Sequence, residues 1–458
     1  MTPSPPPTTP YAQPTTPYAQ PVPTTADRPF VPPTPPPPSQ SRIPGAFETS
    51  LIPTGAPRFT FTPSITLAEQ WTDNFFLVDR GRTDNFRTIL SVGLAALMNL
   101  PNTRGSLSTS LAAAYDTAPD TQNTNFFPSF TGTVQHTFTP RLSMTVTDTF
   151  RRDDDPLFAD PNGITRERDT FVSNTFSVSV DWLIDIFRTQ YYYRNNLFIS
   201  DTNTVSNIVG GNVSMPVGAL NTLTGGYEFT YRTSDNTSTD DTIGNRVYAS
   251  LSRQIGTFTS VGTSSSFSWI SASSDSRIFN ISLFGAHGVP AGFSVSGSVG
   301  YSLFNSDTAT NPTHLFAATL NASYRFARGI VSVGFFQDFR QTADEGEDFG
   351  VVATRAVYGS FSYFITPFIT GSINVRYSRN EPVQGGGSQI DSSSYFTAGA
   401  NLGWQIANWL SMSLAYIYID RQSDQSFNIG SNGGSQTPSQ FLQNSTENRA
   451  TITLTASF

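Results

Sequence analysis

Cysteine is absent from this 458-residue chain, and so is lysine, all 26 basic residues being arginine. Without cysteine no disulfide and no thiolate metal site can form, so cohesion has to come from burial and hydrogen bonding. No stretch of about 18 consecutive apolar residues occurs, which excludes a transmembrane helix. Charge is also scarce, at 13% of residues, and its balance is acidic, with a formal net charge of -8. That argues against nucleic acid as a partner, because phosphate binding needs a basic face. Histidine occurs three times, at His136, His287 and His314. No two of them stand at a ligand spacing, so neither a histidine metal site nor any other cofactor is expected.

What the chain has instead is Thr, Ser, Val, Asn and aromatics, with 37 Phe and 17 Tyr. These suit strands and turns. From Phe59 onward the dominant period is two. Leu90, Val92, Leu94, Ala96 and Met98 form one such series, and Phe316, Ala318, Leu320, Ala322, Tyr324 and Phe326 another. About twenty runs of this kind occur, reaching 10 to 13 residues, the length a tilted strand needs to cross a bilayer.

The connections fall into two kinds that alternate along the chain. Residues 100–104, 138–142, 183–187, 216–220, 288–292, 326–329, 365–368 and 406–409 are short. Residues 72–85, 151–169, 233–245, 341–348, 380–394 and 420–448 are long and polar. The expectation is an all-β fold, an antiparallel up-and-down transmembrane β-barrel of about 20 strands (18 to 22) over residues 59–458. Lipid offers no hydrogen-bond partners, so the sheet must close, with the strand near Phe59–Trp71 against the one near Ala450–Phe458. Aromatics near strand ends, among them Trp71, Phe75, Phe76, Phe126, Phe127, Tyr191, Tyr192 and Tyr193, are expected in interfacial girdles.

Residues 1–58 differ from the rest. Sixteen of the 32 prolines fall within residues 1–38, and TTPYAQP occurs twice in succession, at 8–14 and 15–21. Such a segment is expected to be a disordered tail, serving as a spacer, a tether for a periplasmic partner or a plug. An exported chain is expected to carry a basic region followed by an apolar stretch at its start. The first residues show neither, so on this expectation the leader precedes residue 1 or has been removed.

The ending TITLTASF, residues 451–458, resembles the C-terminal signal of bacterial outer-membrane barrels, with Ile452, Leu454 and Phe458 carrying the pattern. The stretch PSITLAEQWTDNFFL, residues 63–77, is similar to the first hairpin of the beta-barrel porin 2 family. These resemblances imply a location in the outer membrane, and the alternation of short and long connections puts both termini on the periplasmic side. The resemblances also imply contact with outer-membrane lipid and lipopolysaccharide, handling by the barrel assembly machinery, and a link to exopolysaccharide export. The family carries no catalytic residues to transfer.

Charges within strands should point away from lipid, where one costs about 2–4 kcal/mol at the midplane. Parity selects Arg188, Arg194, Glu228, Asp338 and Arg376 as pore-lining candidates; the other reading is that they pair across strands and fill or stiffen the wall. Acidic loop runs, including Asp153, Asp154, Asp155 and Asp160, match no calcium loop and are expected to be a solvated outer face. No local Ser/His or Asp/His motif supports an enzyme. The expectation is a passive channel for small solutes or saccharides; the alternative is a surface barrel whose long loops bind partners without an open pore.

Overall fold

The computed structural model describes residues 58–78, 81–118, 124–155, 168, 170–200, 203–235, 241–272, 275–289, 292–307, 311–341, 351–383, 392–423 and 444–458. The proline-rich segment and the acidic run around Asp344 lie outside them, as does Asp160. Twenty strands follow one another. They are β1 (Arg58–Thr72), β2 (Asn85–Asn99), β3 (Thr103–Asp116), β4 (Thr124–Thr139), β5 (Leu142–Asp153), β6 (Phe171–Ile184) and β7 (Phe187–Ile199). Next come β8 (Thr204–Val217), β9 (Asn221–Ser234), β10 (Thr242–Gly256), β11 (Thr259–Ser271), β12 (Ser276–Gly288), β13 (Phe293–Ser306) and β14 (Thr313–Phe326). The last six are β15 (Gly329–Gln341), β16 (Val351–Thr366), β17 (Ile369–Pro382), β18 (Ser393–Ala407), β19 (Leu410–Ser423) and β20 (Ser445–Ser457).

Every strand pairs antiparallel with its chain neighbours, and β1 pairs with β20, so one sheet closes on itself. The closing register runs from Ser64↔Ser457 to Thr72↔Arg449. Residues Arg58–Pro63 therefore extend beyond the end of β20, the stagger that a tilted closed sheet requires. At the seam the Phe458 amide donates to the Pro63 carbonyl at 3.0 Å, and the Phe458 ring stacks on Trp409 with centroids 6.3 Å apart. Ile452, Leu454 and Phe458 are all exposed on the outer surface, as their alternation requires.

The two kinds of connection segregate to opposite ends of the barrel. Nine connections at one end span two to four residues, including 257–258, a tight turn that the polarity of the sequence does not announce. Several long connections prove shorter than composition implies. β20 begins at Ser445 inside the polar stretch 420–448, and β5 runs on to Asp153. Both extensions carry charged side chains, and a polarity scan reads these as loop. Both described chain ends, Arg58 and Phe458, lie at the short-turn end.

Alternation sets the two faces. Outward stand Leu283 and Phe316, 65% and 63% exposed, with dozens of other large apolar side chains. A monomer in water does not expose a continuous apolar belt of this kind, whereas hydrocarbon solvates it. Described strands are 12–16 residues long. At about 3.3 Å per residue and a tilt near 40°, they cover roughly 30–40 Å, enough for a bilayer core.

Not every strand charge faces inward, and Glu69 and Asp148 are two carboxylates that do not. Glu69 shares the outward face with Leu67 and Trp71, and accepts a hydrogen bond from the Thr88 hydroxyl at 2.9 Å. Asp148, outward with Val146, accepts one from Asn174 Nδ2 at 2.7 Å. Each lies two residues below an outward aromatic, Trp71 or Phe150, close to the level where water and headgroups begin. A neighbouring donor and that height together reduce the cost of exposing the charge.

Candidate functional site

The inward face changes along its length. On β3, Arg104, Ser106 and Ser108 near the short-turn end are exposed, whereas Ala114 and Asp116 near the long-loop end are 1% exposed. The same gradient recurs on β2, where Asn99, Leu97 and Ala95 are exposed and Arg87 and Asn85 buried, and on β13, where Ser302, Phe304 and Ser306 are buried. Among the described residues the inward faces of β2 and β3 are therefore exposed near the short turns and buried near the long loops, whereas Ser411 and Ser413 of β19 are buried even at the short-turn end.

An ion-pair network holds the filled end together around β1, β2, β3 and β20. Arg87 grips two carboxylates at once, donating to Asp116 at 2.7 and 2.8 Å and to Asp154 at 2.7 and 2.5 Å. Arg449 does the same with Glu447, at 3.0 and 3.1 Å, and with Asp155, at 2.5 Å. Arg168 donates from Nε to the Phe75 carbonyl at 3.0 Å and from Nη2 to Glu447 at 3.4 Å. Glu447 also accepts from the Thr72 hydroxyl at 2.8 Å. Three arginines thus meet four carboxylates, and the rings of Phe75 and Phe127 lie 5.5 and 5.7 Å from the Arg87 guanidinium carbon.

Local chain geometry brings these groups inward. Asp153 Oδ1 accepts from the backbone amides of Asp154 and Asp155 at 2.8 and 3.0 Å, a side-chain turn that carries the next two carboxylates toward the axis. Phe75 and Leu77 of the β1–β2 connection are buried. Leu77 sits at φ 57°, which is strained for a branched residue. The Asn74 side chain holds that turn, donating to the Val78 and Thr446 carbonyls at 2.7 and 2.8 Å and accepting from the Val78 amide at 3.0 Å. Because β5 and β20 are five strands apart around the wall, the Asp155–Arg449 pair ties the start of the β5–β6 connection to the far side of the seam.

Asp154 and Asp155 therefore do not belong to a solvated outer face. Polar composition alone cannot distinguish a carboxylate in water from one paired to arginine. Phe75, Phe127 and Tyr192 likewise do not belong to a girdle: parity with Arg87, Asn125 and Gln190 turns the last two inward, and Phe75 packs beneath arginines. Arg87, Glu447 and Arg449 were findable, since each sits at inward parity in an alternating run.

The five sequence-selected charges all stand on the inward register. Arg188 faces Leu183 and Ser214 across β6 and β8, and Arg194 faces Ser177 and Ile208. Glu228 lies opposite Gly210 and Arg246, and accepts from the Tyr192 hydroxyl at 2.7 Å. Asp338 accepts from the Ser302 hydroxyl at 2.9 Å and from the Phe339 amide at 2.7 Å. Arg376 lies opposite Tyr358 and Thr397. The structure distributes them over two arcs, β7 and β9 on one side and β15 and β17 on the other.

Inward aromatics have a recurrent partner. Tyr192, Tyr248, Phe284 and Tyr358 lie directly opposite Gly210, Gly226, Gly262 and Gly334, and a methyl group on any of the four glycines would overlap the facing ring. Each ring thus lies flat along the wall instead of projecting across the lumen. The histidines face outward: His136 and His287 each meet the hydroxyl of a cross-strand threonine, Thr103 and Thr259, at 2.8 Å, and His314 meets the Tyr301 hydroxyl. Among the described residues no group of His, Asp and Glu is arranged to hold a metal ion.

No protein-family model and no curated protein matches the chain. Solved structures do resemble it. A mutant of the ferric enterobactin receptor PfeA from Pseudomonas aeruginosa superposes with a TM-score of 0.50 at 10% identity, over 87% of this chain and 80% of that one. The siderophore receptor PirA from the same organism gives 0.48 at 11% identity, over 88% and 81%. The outer membrane protein opdK, also from Pseudomonas aeruginosa, gives 0.39 at 10% identity, over 87% and 99%. At these identities the first likeness speaks to the fold alone: a closed antiparallel barrel of the outer-membrane type.

Proposed function

We propose that the protein is an outer-membrane channel that passes small solutes, saccharides among them, by passive diffusion, with the short-turn end and both termini in the periplasm. The observation that carries this is the inward face: a closed barrel with an apolar outside and a lining rich in Ser, Thr, Asn and Gln, exposed near the short turns on β2 and β3. Barrels near this strand number enclose a lumen wide enough for water. Arg188, Arg194, Glu228, Asp338 and Arg376 are the proposed lining charges that set ion preference. The resemblance of residues 63–77 to the beta-barrel porin 2 family supports a place in exopolysaccharide export. The barrel's lipid surface faces phospholipid and lipopolysaccharide, and the proposed route of insertion is the barrel assembly machinery acting on TITLTASF. We assign no catalysis and no cofactor.

A surface barrel without an open pore is the second proposal, and the ion-paired fill at the long-loop end favours it. Planar-bilayer recording separates the two. The channel gives discrete conductance steps, and the Arg188→Glu/Arg194→Glu variant shifts the reversal potential toward cations. Silence at all voltages, from protein that still shows a heat-dependent gel shift, would leave only the surface barrel.

A further inference from the structure

The outward surface of β16–β19 carries two features that alternation alone does not produce. The first is a shallow apolar groove of about 330 Å³ on the lipid side. Its floor is made by two small outward residues, Gly371 and Ala400, and its walls by Phe361, Tyr363, Ile373 and Leu402. The register explains the shape: Gly371 stands between Tyr363 and Leu402, and Ala400 beside Ile373, so a diagonal of small side chains runs between rows of large ones.

The second feature lies higher on the same strands. Arg355 and Arg379 are direct cross-strand partners on the outward face, a like-charge pairing that costs stability. Each is 46% exposed. Glu381 lies between them, with oxygens 3.4 Å from Arg355 Nη2 and 3.1 Å from Arg379 Nε. One carboxylate against two guanidiniums leaves a positive charge one register step above Tyr377, which marks the aromatic level of the interface. Two forked cations at that height match the geometry of a phosphate group.

Distance joins the features. Arg355 and Phe361 are six residues apart on one strand, about 20 Å at 3.3 Å per residue, or roughly 15 Å of depth at a 40° tilt. That is about half of the ~30 Å hydrocarbon core, the depth of one leaflet. We infer that the outward face of β16–β19 binds one phosphorylated lipid of the leaflet at the long-loop end, its phosphate on Arg355 and Arg379 and an acyl chain in the Gly371–Ala400 groove.

This rests on the membrane placement proposed above and not on conduction, so a silent barrel still tests it. Full-length protein in detergent is titrated with lipid A and with phosphatase-treated lipid A, and adducts are read by native mass spectrometry. The phosphorylated lipid is expected to bind about tenfold more tightly. Arg355→Gln/Arg379→Gln removes that preference, and Ala400→Phe weakens both lipids alike. Glu381→Gln, which frees both arginines, tightens only the phosphorylated form. A heat-dependent gel shift retained in each variant shows an intact barrel. Equal binding of the two lipids overturns the site, and so does an unchanged preference in the double arginine variant. Displacement of lipid by millimolar inorganic phosphate means that the anion alone is recognised, and a dimer mass in place of a lipid adduct means that a second copy covers the groove.

Discussion

The two halves of the lumen are built from the same alternating strands, yet they solve opposite problems. Near the short turns the inward side chains are mostly small or hydroxylic, exposed on β2 and β3 and elsewhere joined in cross-strand hydroxyl pairs such as Ser294 with Ser323 and Ser214 with Thr224. Near the long loops, Arg87, Arg449 and Arg168 are buried with Asp116, Asp154, Asp155 and Glu447, and each charge depends on the others. The first half is tolerant because solvent stands in for any lost partner. The second is not, since a charge left alone in a dry site has nothing to replace its ion pair.

The largest effect is expected from cutting the network. Arg449→Ala removes the 2.5 Å contact to Asp155 and leaves Glu447 with the longer 3.4 Å contact to Arg168, and is expected to cost about 3–5 kcal/mol. Urea unfolding in detergent, followed by the gel shift, reads the loss directly. If it were under 1 kcal/mol, the contrast between the halves would collapse.

A smaller effect belongs to the middle of the wall, where rings lie over glycines. Gly210→Val drives a side chain into the Tyr192 ring and is expected to cost about 1–3 kcal/mol by overpacking. Adding Tyr192→Ser should recover most of it, because the two positions are in direct contact. Failure of the second change to rescue the first would show that Gly210 matters for its backbone and not for space.

The smallest effect is expected at the open end. Ser106→Ala and Ser108→Ala replace hydroxyls that water already satisfies, and each should lie within about 0.5 kcal/mol of the parent with the same conductance. A larger destabilisation at Ser106 than at Arg449 would invert the comparison.

Much of the fold was legible beforehand because alternation in a closed sheet is a local property. The faces of β2 can be read from Leu90 to Met98, and the closure from the apolar parity of Ile452 and Leu454 against Ile65 and Leu67. The inward direction of Arg188, Glu228 and Asp338 followed from their parity. What parity does not reveal is company. Tyr192 looked like its neighbours Tyr191 and Tyr193, and only the register opposite Gly210, with Glu228 accepting its hydroxyl, separates it from them. Phe75 and the pair Asp154 and Asp155 lie beyond strand ends, where no period operates.

From sequence alone came the period of two, the alternation of short and long connections, and an ending that leaves one face apolar to the last residue. Together these require a closed barrel in lipid, since backbone groups in hydrocarbon must pair within the protein. Only the tertiary structure determined which half of the lumen is dry. Arg87, Asp154, Arg449 and Arg168 are separated by up to hundreds of residues, and their attraction operates only once closure has placed β20 beside β1 and drawn the β5–β6 connection across to the seam.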